Sequence, residues 1–199
     1  MMDKYGTGQD PYCYPESTTL RNLLDIRDEA ELITVERELT LLATDAIQFS
    51  PPPYDLAYLQ TLHRQLFSDL YPWAGAIRTI DIAKGETRFC HVPRIEAESH
   101  KLFDRLAQQD HFTPLPREPL IAAVAELYGD LNVVHPFREG NGRAQRLLFE
   151  HIVINCGYEI SWEGLERREW LEANVAAYYC DYRPMTAIFR RCIGAPLSE

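Results

Sequence analysis

No run of apolar residues in this chain comes near the roughly 20 needed to cross a bilayer. The opening residues, MMDKYGTGQDPYCYP, hold no hydrophobic leader region either, so a cytoplasmic protein without membrane association is expected. Positive charge is scarce: 20 Lys and Arg stand against 30 Asp and Glu, a formal net charge of -10. A broad nucleic-acid or anionic-membrane face needs a basic surface, so direct nucleic-acid binding is not expected and any phosphate affinity must be local. The five cysteines, Cys13, Cys90, Cys156, Cys180 and Cys192, include no CxxC pair, which removes the common zinc and redox spacing and leaves reduced, mostly buried thiols. Internal repeats and low-complexity linkers are missing too.

What is present is helical periodicity. Hydrophobic residues make up 46% of 199 residues, enough for one sizeable core. Leu32, Val35, Leu39, Leu42, Ala46 and Phe49 recur at spacings of three and four, predicting a helix between Glu29 and Phe49 that stops at Pro51, Pro52 and Pro53. Leu59, Leu62, Leu66 and Leu70 predict a second, ended by the turn YPWAG at Tyr71 to Gly75. From Ile77 the pattern changes. IRTIDI and TRFCHV flank AKGE and predict a hairpin of about six residues per strand, the one sheet expected. Helical spacing returns at Ile95, Leu102 and Leu106, then at Leu120, Val124, Leu127 and Leu131, then at Leu148, Ile152 and Cys156, where Gly157 suits a left-handed helix end. Two further helices are expected around Trp170 to Tyr179 and Pro184 to Ile193. The reading is one all-α domain over residues 1–199, with an N-terminal helical extension over about 1–50 and a core over about 54–193.

Residues 135–146 read HPFREGNGRAQR and join two of these helices. Arg143 and Arg146 would then lie at a helix N-terminus, where cations are unfavourable by roughly 0.3 to 1 kcal/mol each. Something negative is therefore expected there. Gly140, Asn141 and Gly142 permit positive φ, so successive amides can turn toward one point, and the following helix adds its own unpaired amides. Glu139 fits beside a polyphosphate if a magnesium ion lies between them. His135 is the side chain in the run able to accept a proton near neutral pH. Singly, a glycine-rich turn, a histidine before proline and two arginines each have ordinary structural explanations. Their conjunction points to a hydroxyl on another molecule, activated by His135, attacking a phosphorus held by the loop.

With these residues in view, the chain resembles Fic-domain proteins, whose motif is HxFx(D/E)GNGRxxR. His135, Phe137, Glu139, Gly140, Asn141, Gly142, Arg143 and Arg146 match every specified position. The likeness extends to WAGAIRTIDIAKGETRFCHV, Trp73 to Val92, similar to the family's flap, and to DPYCYP, Asp10 to Pro15, similar to the N-terminus of small bacterial Fic toxins. The resemblance implies the Fic fold, a helical bundle with one β-hairpin flap beside the active site. It also implies a protein adenylyltransferase that moves AMP from ATP to a Tyr, Ser or Thr hydroxyl, with pyrophosphate leaving.

By the same resemblance His135 is the general base and Glu139 holds Mg2+. The Gly140 to Gly142 backbone, Asn141, Arg143 and Arg146 contact the ATP phosphates, Lys84 and Gly85 lie near the nucleotide, Phe137 fixes the loop and Asn132 braces it. Ile80, Ile82, Thr87 and Phe89 form the flap edge that docks the target. A related subclass carries Lys where Gly142 stands and transfers the γ-phosphate, so Gly142 favours AMP transfer. Transfer of UMP or phosphocholine, and a catalytically silent partner-binding module, are the alternatives. Type II topoisomerase subunits are the target class implied. The family's inhibitory pattern (S/T)xxxE(G/N) is absent: only Glu139 and Glu163 precede Gly or Asn, and His135 and Glu159 stand four before them. A toxin held by a separate small antitoxin, whose helix supplies a Glu to Arg146, is the resulting expectation.

Overall fold

A computed structural model describes residues 10–85 and 87–197. Seven α-helices appear among them: α1 (Glu29–Ala46), α2 (Leu56–Phe67), α3 (Ile95–Gln108), α4 (Arg117–Val134), α5 (Asn141–Asn155), α6 (Arg167–Tyr178) and α7 (Arg183–Cys192). Their starts follow local chemistry. Asp28 caps α1 by accepting from the Glu31 amide, and Asp55 caps α2 by accepting from the Tyr58 amide. α5 is followed by Gly157 at φ 82, the left-handed end expected from its sequence.

Two helices form the centre. α4 buries Leu120, Ile121, Val124, Leu127, Tyr128 and Leu131, and α5 buries Ala144, Leu147, Leu148, Phe149, Ile152 and Val153. α4 packs against α3, α5, α6 and α7, while α2 packs against both α5 and α1. One cluster of buried side chains draws on residues from Cys13 to Ile193. Residues 135–140, the first half of the HPFREGNGRAQR motif, join α4 to α5, so two deeply buried helices fix both ends of one short loop.

Three features differ from the sequence reading. The hairpin strands are two residues each, β1 (Ala83–Lys84) against β2 (Thr87–Arg88), rather than about six. Beyond the ladder the legs are joined irregularly and tied to the core: the Ile82 carbonyl accepts from the Phe89 amide and the Asp81 carboxylate from the Val92 amide, while the Ile80 carbonyl accepts from Arg78 and the Cys90 amide donates to the Val133 carbonyl at 2.9 Å. A second small antiparallel sheet pairs β3 (Tyr158–Ile160) with β4 (Ile193–Pro196). IGAP has poor strand propensity and its pairing is remote in sequence, so nothing local announces it. The N-terminal extension is helical over α1, but residues 10–28 form turns and a Cys13–Leu20 bridge, and residues 1–9 lie outside the described set.

That N-terminal segment is pinned to the motif loop by a buried ion pair. Asp10 and Arg138 are 8% and 2% exposed, and the Asp10 carboxylate accepts from the Arg138 Nε at 2.7 Å and from its Nη2. Removing one member of a buried pair costs about 3 to 5 kcal/mol, because a charge is stripped of its partner out of water. Asp10→Asn is expected to lower the unfolding free energy by that order in urea titration. A loss below about 1 kcal/mol, the scale of a surface pair, would mean the pair does not hold this segment.

Candidate active site

His135 closes α4 in the left-handed region, φ 48 and ψ 63, with its amide donating to the Leu131 carbonyl at 3.3 Å. A non-glycine residue there costs on the order of 1 to 3 kcal/mol unless its surroundings compel it. The imidazole Nδ1 lies 3.0 Å from the Asn132 carbonyl oxygen. A carbonyl only accepts, so Nδ1 carries the hydrogen and Nε2 keeps its lone pair. The Phe89 ring stacks on the imidazole at 3.8 Å between centroids, 15° from parallel. Burial pushes the His135 pKa down to about 4, with the Asn132 carbonyl and Glu139 acting upward and Arg78 and Lys84 downward. At neutral pH the ring is therefore an uncharged base with a defined tautomer.

The rest of the loop is braced by buried polar side chains. Phe137 is fully buried and stacks on His63 at 3.9 Å, while Asn141 accepts from the Phe137 amide and donates to the Phe137 carbonyl, both at 2.8 Å. The Gly75 amide donates to His63 Nδ1, which leaves Nε2 to donate to the Glu139 carbonyl, each at 2.9 Å. Of the three motif residues expected to supply positive φ, only Gly140 has it, at 78. A Cβ on Gly140 would sit 2.3 Å from the Phe67 ring, so glycine is required twice over. Asn141 and Gly142 instead open α5, and helix geometry gives their amides no intrahelical acceptor. Gly140 caps the helix without a side-chain bond, which leaves the positive end of α5 at the loop.

The charged members of the motif gather at this end. Glu139 accepts from the Gly140 amide at 3.1 Å. Arg143 is paired with Glu36 of α1, lies 4.7 Å over the Phe67 ring and reaches Thr40 at 3.3 Å. Tyr71 donates to the other oxygen of Glu36, and burial together with that carboxylate holds its phenol protonated. Among the described residues no carboxylate lies within ion-pair distance of half-buried Arg146. No group of three or more potential metal ligands occurs among the described residues. The arrangement offers one carboxylate, helix amides and two cations to an anion placed between them.

The expected flap residues separate. Lys84 and Gly85 are exposed, Thr87 and Phe89 are half-buried, and Ile82 is 2% exposed with its carbonyl taken by the Phe89 amide. Ile80 also has its carbonyl occupied, by Arg78. The Asn132 contribution to the loop comes from its backbone carbonyl rather than its side chain. Four residues were not singled out from sequence: His63, hidden within an apolar helix stripe, Arg78, inside a strand-like run, and Glu36 with Tyr71, remote from the motif. The one visible signal was a charged residue in an otherwise buried pattern.

A model of the Fic/DOC family matches residues 53–153. A protein of Escherichia coli K12 named "Probable protein adenylyltransferase Fic" is 38% identical over 194 residues, covering 98% of this chain and 97% of that protein. A probable protein adenylyltransferase of Sinorhizobium fredii is 36% identical, covering 96% of this chain and 100% of its own. Among solved structures, the BepC effector of Bartonella tribocorum with bound AMPPNP has a TM-score of 0.86 at 26% identity, covering 94% of this chain and 97% of that one.

The buried histidine of α2 makes the loop sensitive to acid. Burial moves the His63 pKa from 6.5 down to about 4, so the unfolded chain binds more protons than the folded one between those values. Stability from this group is complete above about pH 6.5 and is lost as the pH falls toward 4, by on the order of 3 kcal/mol. Urea titrations across that range should show the decline and a shallower one in His63→Gln. A flat profile in the unmodified chain would remove His63 as a buried neutral brace.

Proposed function

This chain belongs to the Fic/DOC family, and on that footing we propose that it is a protein adenylyltransferase moving AMP from ATP to a Tyr, Ser or Thr hydroxyl of a target protein. The observation that carries the reading is a neutral His135, its tautomer set by the Asn132 carbonyl, beside a helix N-terminus with Arg143 and Arg146. The target hydroxyl oxygen attacks the α-phosphorus while its proton passes to Nε2 of His135. The bond from the α-phosphorus to the bridging oxygen breaks, and pyrophosphate leaves. The open amides of Asn141 and Gly142 and the two arginines stabilise charge on the phosphates, a role suited to fixed donors in a partly water-excluded site. Lys84 and Gly85 on the hairpin fall on the side of the nucleotide.

Mg2+ fits the donor set. A single carboxylate, Glu139, at the mouth of the loop suits a cation completed by phosphate oxygens and water rather than a protein cage. When bound, it would neutralise phosphate charge. The exposed side of the hairpin, with Thr87 on β2, serves to align an extended target segment through main-chain bonds.

The chain acts, in this proposal, in the cytoplasm as a toxin with a separate antitoxin. The asymmetry of the two arginines supports it: Arg143 pairs with Glu36, whereas Arg146 has no carboxylate within ion-pair distance among the described residues. Type II topoisomerase subunits are the proposed target class.

Two measurements test the chemistry. His135→Ala should lower incorporation of label from α-labelled ATP into protein by about 10² to 10⁴ while ATP still binds. Glu139→Gln should lose magnesium-dependent transfer with its fold retained. Near-normal transfer in either variant removes that assignment, and label transferred only from another nucleotide would replace ATP as the donor. For the toxin reading, expression of the chain alone should arrest growth in a His135-dependent manner, relieved by the neighbouring small open reading frame. Harmless high-level expression of active chain would overturn it.

A further inference from the structure

Arg78 is 1% exposed, and its guanidinium spans two parts of the molecule that are remote in sequence. Nε donates to the His135 carbonyl at 2.8 Å, Nη1 to the Ile80 carbonyl at 2.7 Å, and Nη2 to the carbonyls of Cys90 and Val134. Its own amide donates to the Pro136 carbonyl at 2.9 Å. Ile80 and Cys90 are the two legs of the flap; Val134, His135 and Pro136 are the left-handed turn. The nearest carboxylate oxygen, on Asp81, lies 3.8 Å from Nη1, and Asp81 spends its oxygens on the Val92 amide and on His91 at the second leg.

A buried cation bonded mainly to neutral carbonyls is a demanding arrangement, because desolvation is offset only by donors that all find acceptors. Packing alone would be met more simply by Met or Leu. What the planar fork supplies is reach: one rigid group ties several carbonyls at fixed angles, which an ammonium on a flexible stem does not reproduce. The acceptors chosen are the flap legs and the base's turn, and Phe89, one residue before Cys90, lies stacked on the imidazole.

We propose that Arg78 is a positioning residue that fastens the flap to the turn carrying His135, so that the base and the strand aligning the target hydroxyl move as one body. The consequence for transfer rests on the adenylyltransferase reading above; the mechanical coupling does not. A displacement near 1 Å between base and hydroxyl is enough to cost on the order of 10²-fold in rate.

The test uses the full chain with Arg78→Lys and Arg78→Gln, read by amide hydrogen exchange, ATP titration and label transfer from α-labelled ATP into lysate protein. In Arg78→Lys the amides of Phe89, Cys90 and His135 should exchange at least about tenfold faster, while those of Leu148 and Ile152 in α5 keep their protection. ATP affinity should stay within about twofold, and transfer per ATP-binding molecule should fall by on the order of 10- to 10²-fold, more in Arg78→Gln. Normalising to ATP-binding molecules separates this from simple loss of folded protein. Unchanged exchange at Phe89 and Cys90, or faster exchange with undiminished transfer, would overturn the proposal. Failure of both variants to fold would also overturn it, making Arg78 a strut of the core. Faster exchange in a chain whose unmodified form transfers no AMP would support the coupling and sink the adenylyltransferase reading alone.

Discussion

The left-handed turn at His135 is the constraint on which the site depends. α4 cannot continue through it, and α5 begins six residues later, with the loop between them carrying the rest of the motif. The turn also consumes Nδ1 on a carbonyl one turn back, so backbone geometry and tautomer are decided together. A histidine in an ordinary helix would satisfy neither condition.

Nothing in the loop's own backbone pattern would hold this shape, and polar side chains brought in from outside do so. His63 from α2 reads the Glu139 carbonyl, Asn141 closes on both backbone groups of Phe137, Asp10 from the N-terminal segment meets Arg138, and Arg78 gathers the carbonyls behind His135. Each is buried, and each would be costly if its partner were lost. Their interlocking accounts for the three buried charges Asp10, Arg78 and Arg138. It also divides the four arginines of the site into two pairs. Arg78 and Arg138 face carbonyls and a carboxylate inside, while Arg143 and Arg146 project from the start of α5.

Much of the helical frame was legible because apolar residues at three and four report a buried face whatever the partner is. The motif was legible because its chemistry is compressed into residues 135–146. The hairpin was overextended in that reading, since β-branched residues at Ile80 and Ile82 signal burial and strand alike, and here they serve burial and bonding to Arg78. β4 was invisible because its partner is more than 30 residues away in a stretch rich in Gly and Pro. The braces Glu36, His63 and Arg78 were missed for a common reason: their roles exist only after tertiary contacts form, and no spacing along the chain encodes them.

Gly142 differs from the other glycine of the motif in a way that has practical use. Gly140 is walled in by Phe67, but a Cβ at Gly142 would meet no atom within 4 Å. The chain therefore leaves room for a Cβ there, and alanine is favoured over glycine in a helix by up to about 1 kcal/mol. A cysteine introduced at this position would place its Cβ clear of the packed side chains that brace the loop. Position 142 is thus the motif glycine that stays open to a chemical handle, whereas position 140 is closed to any side chain.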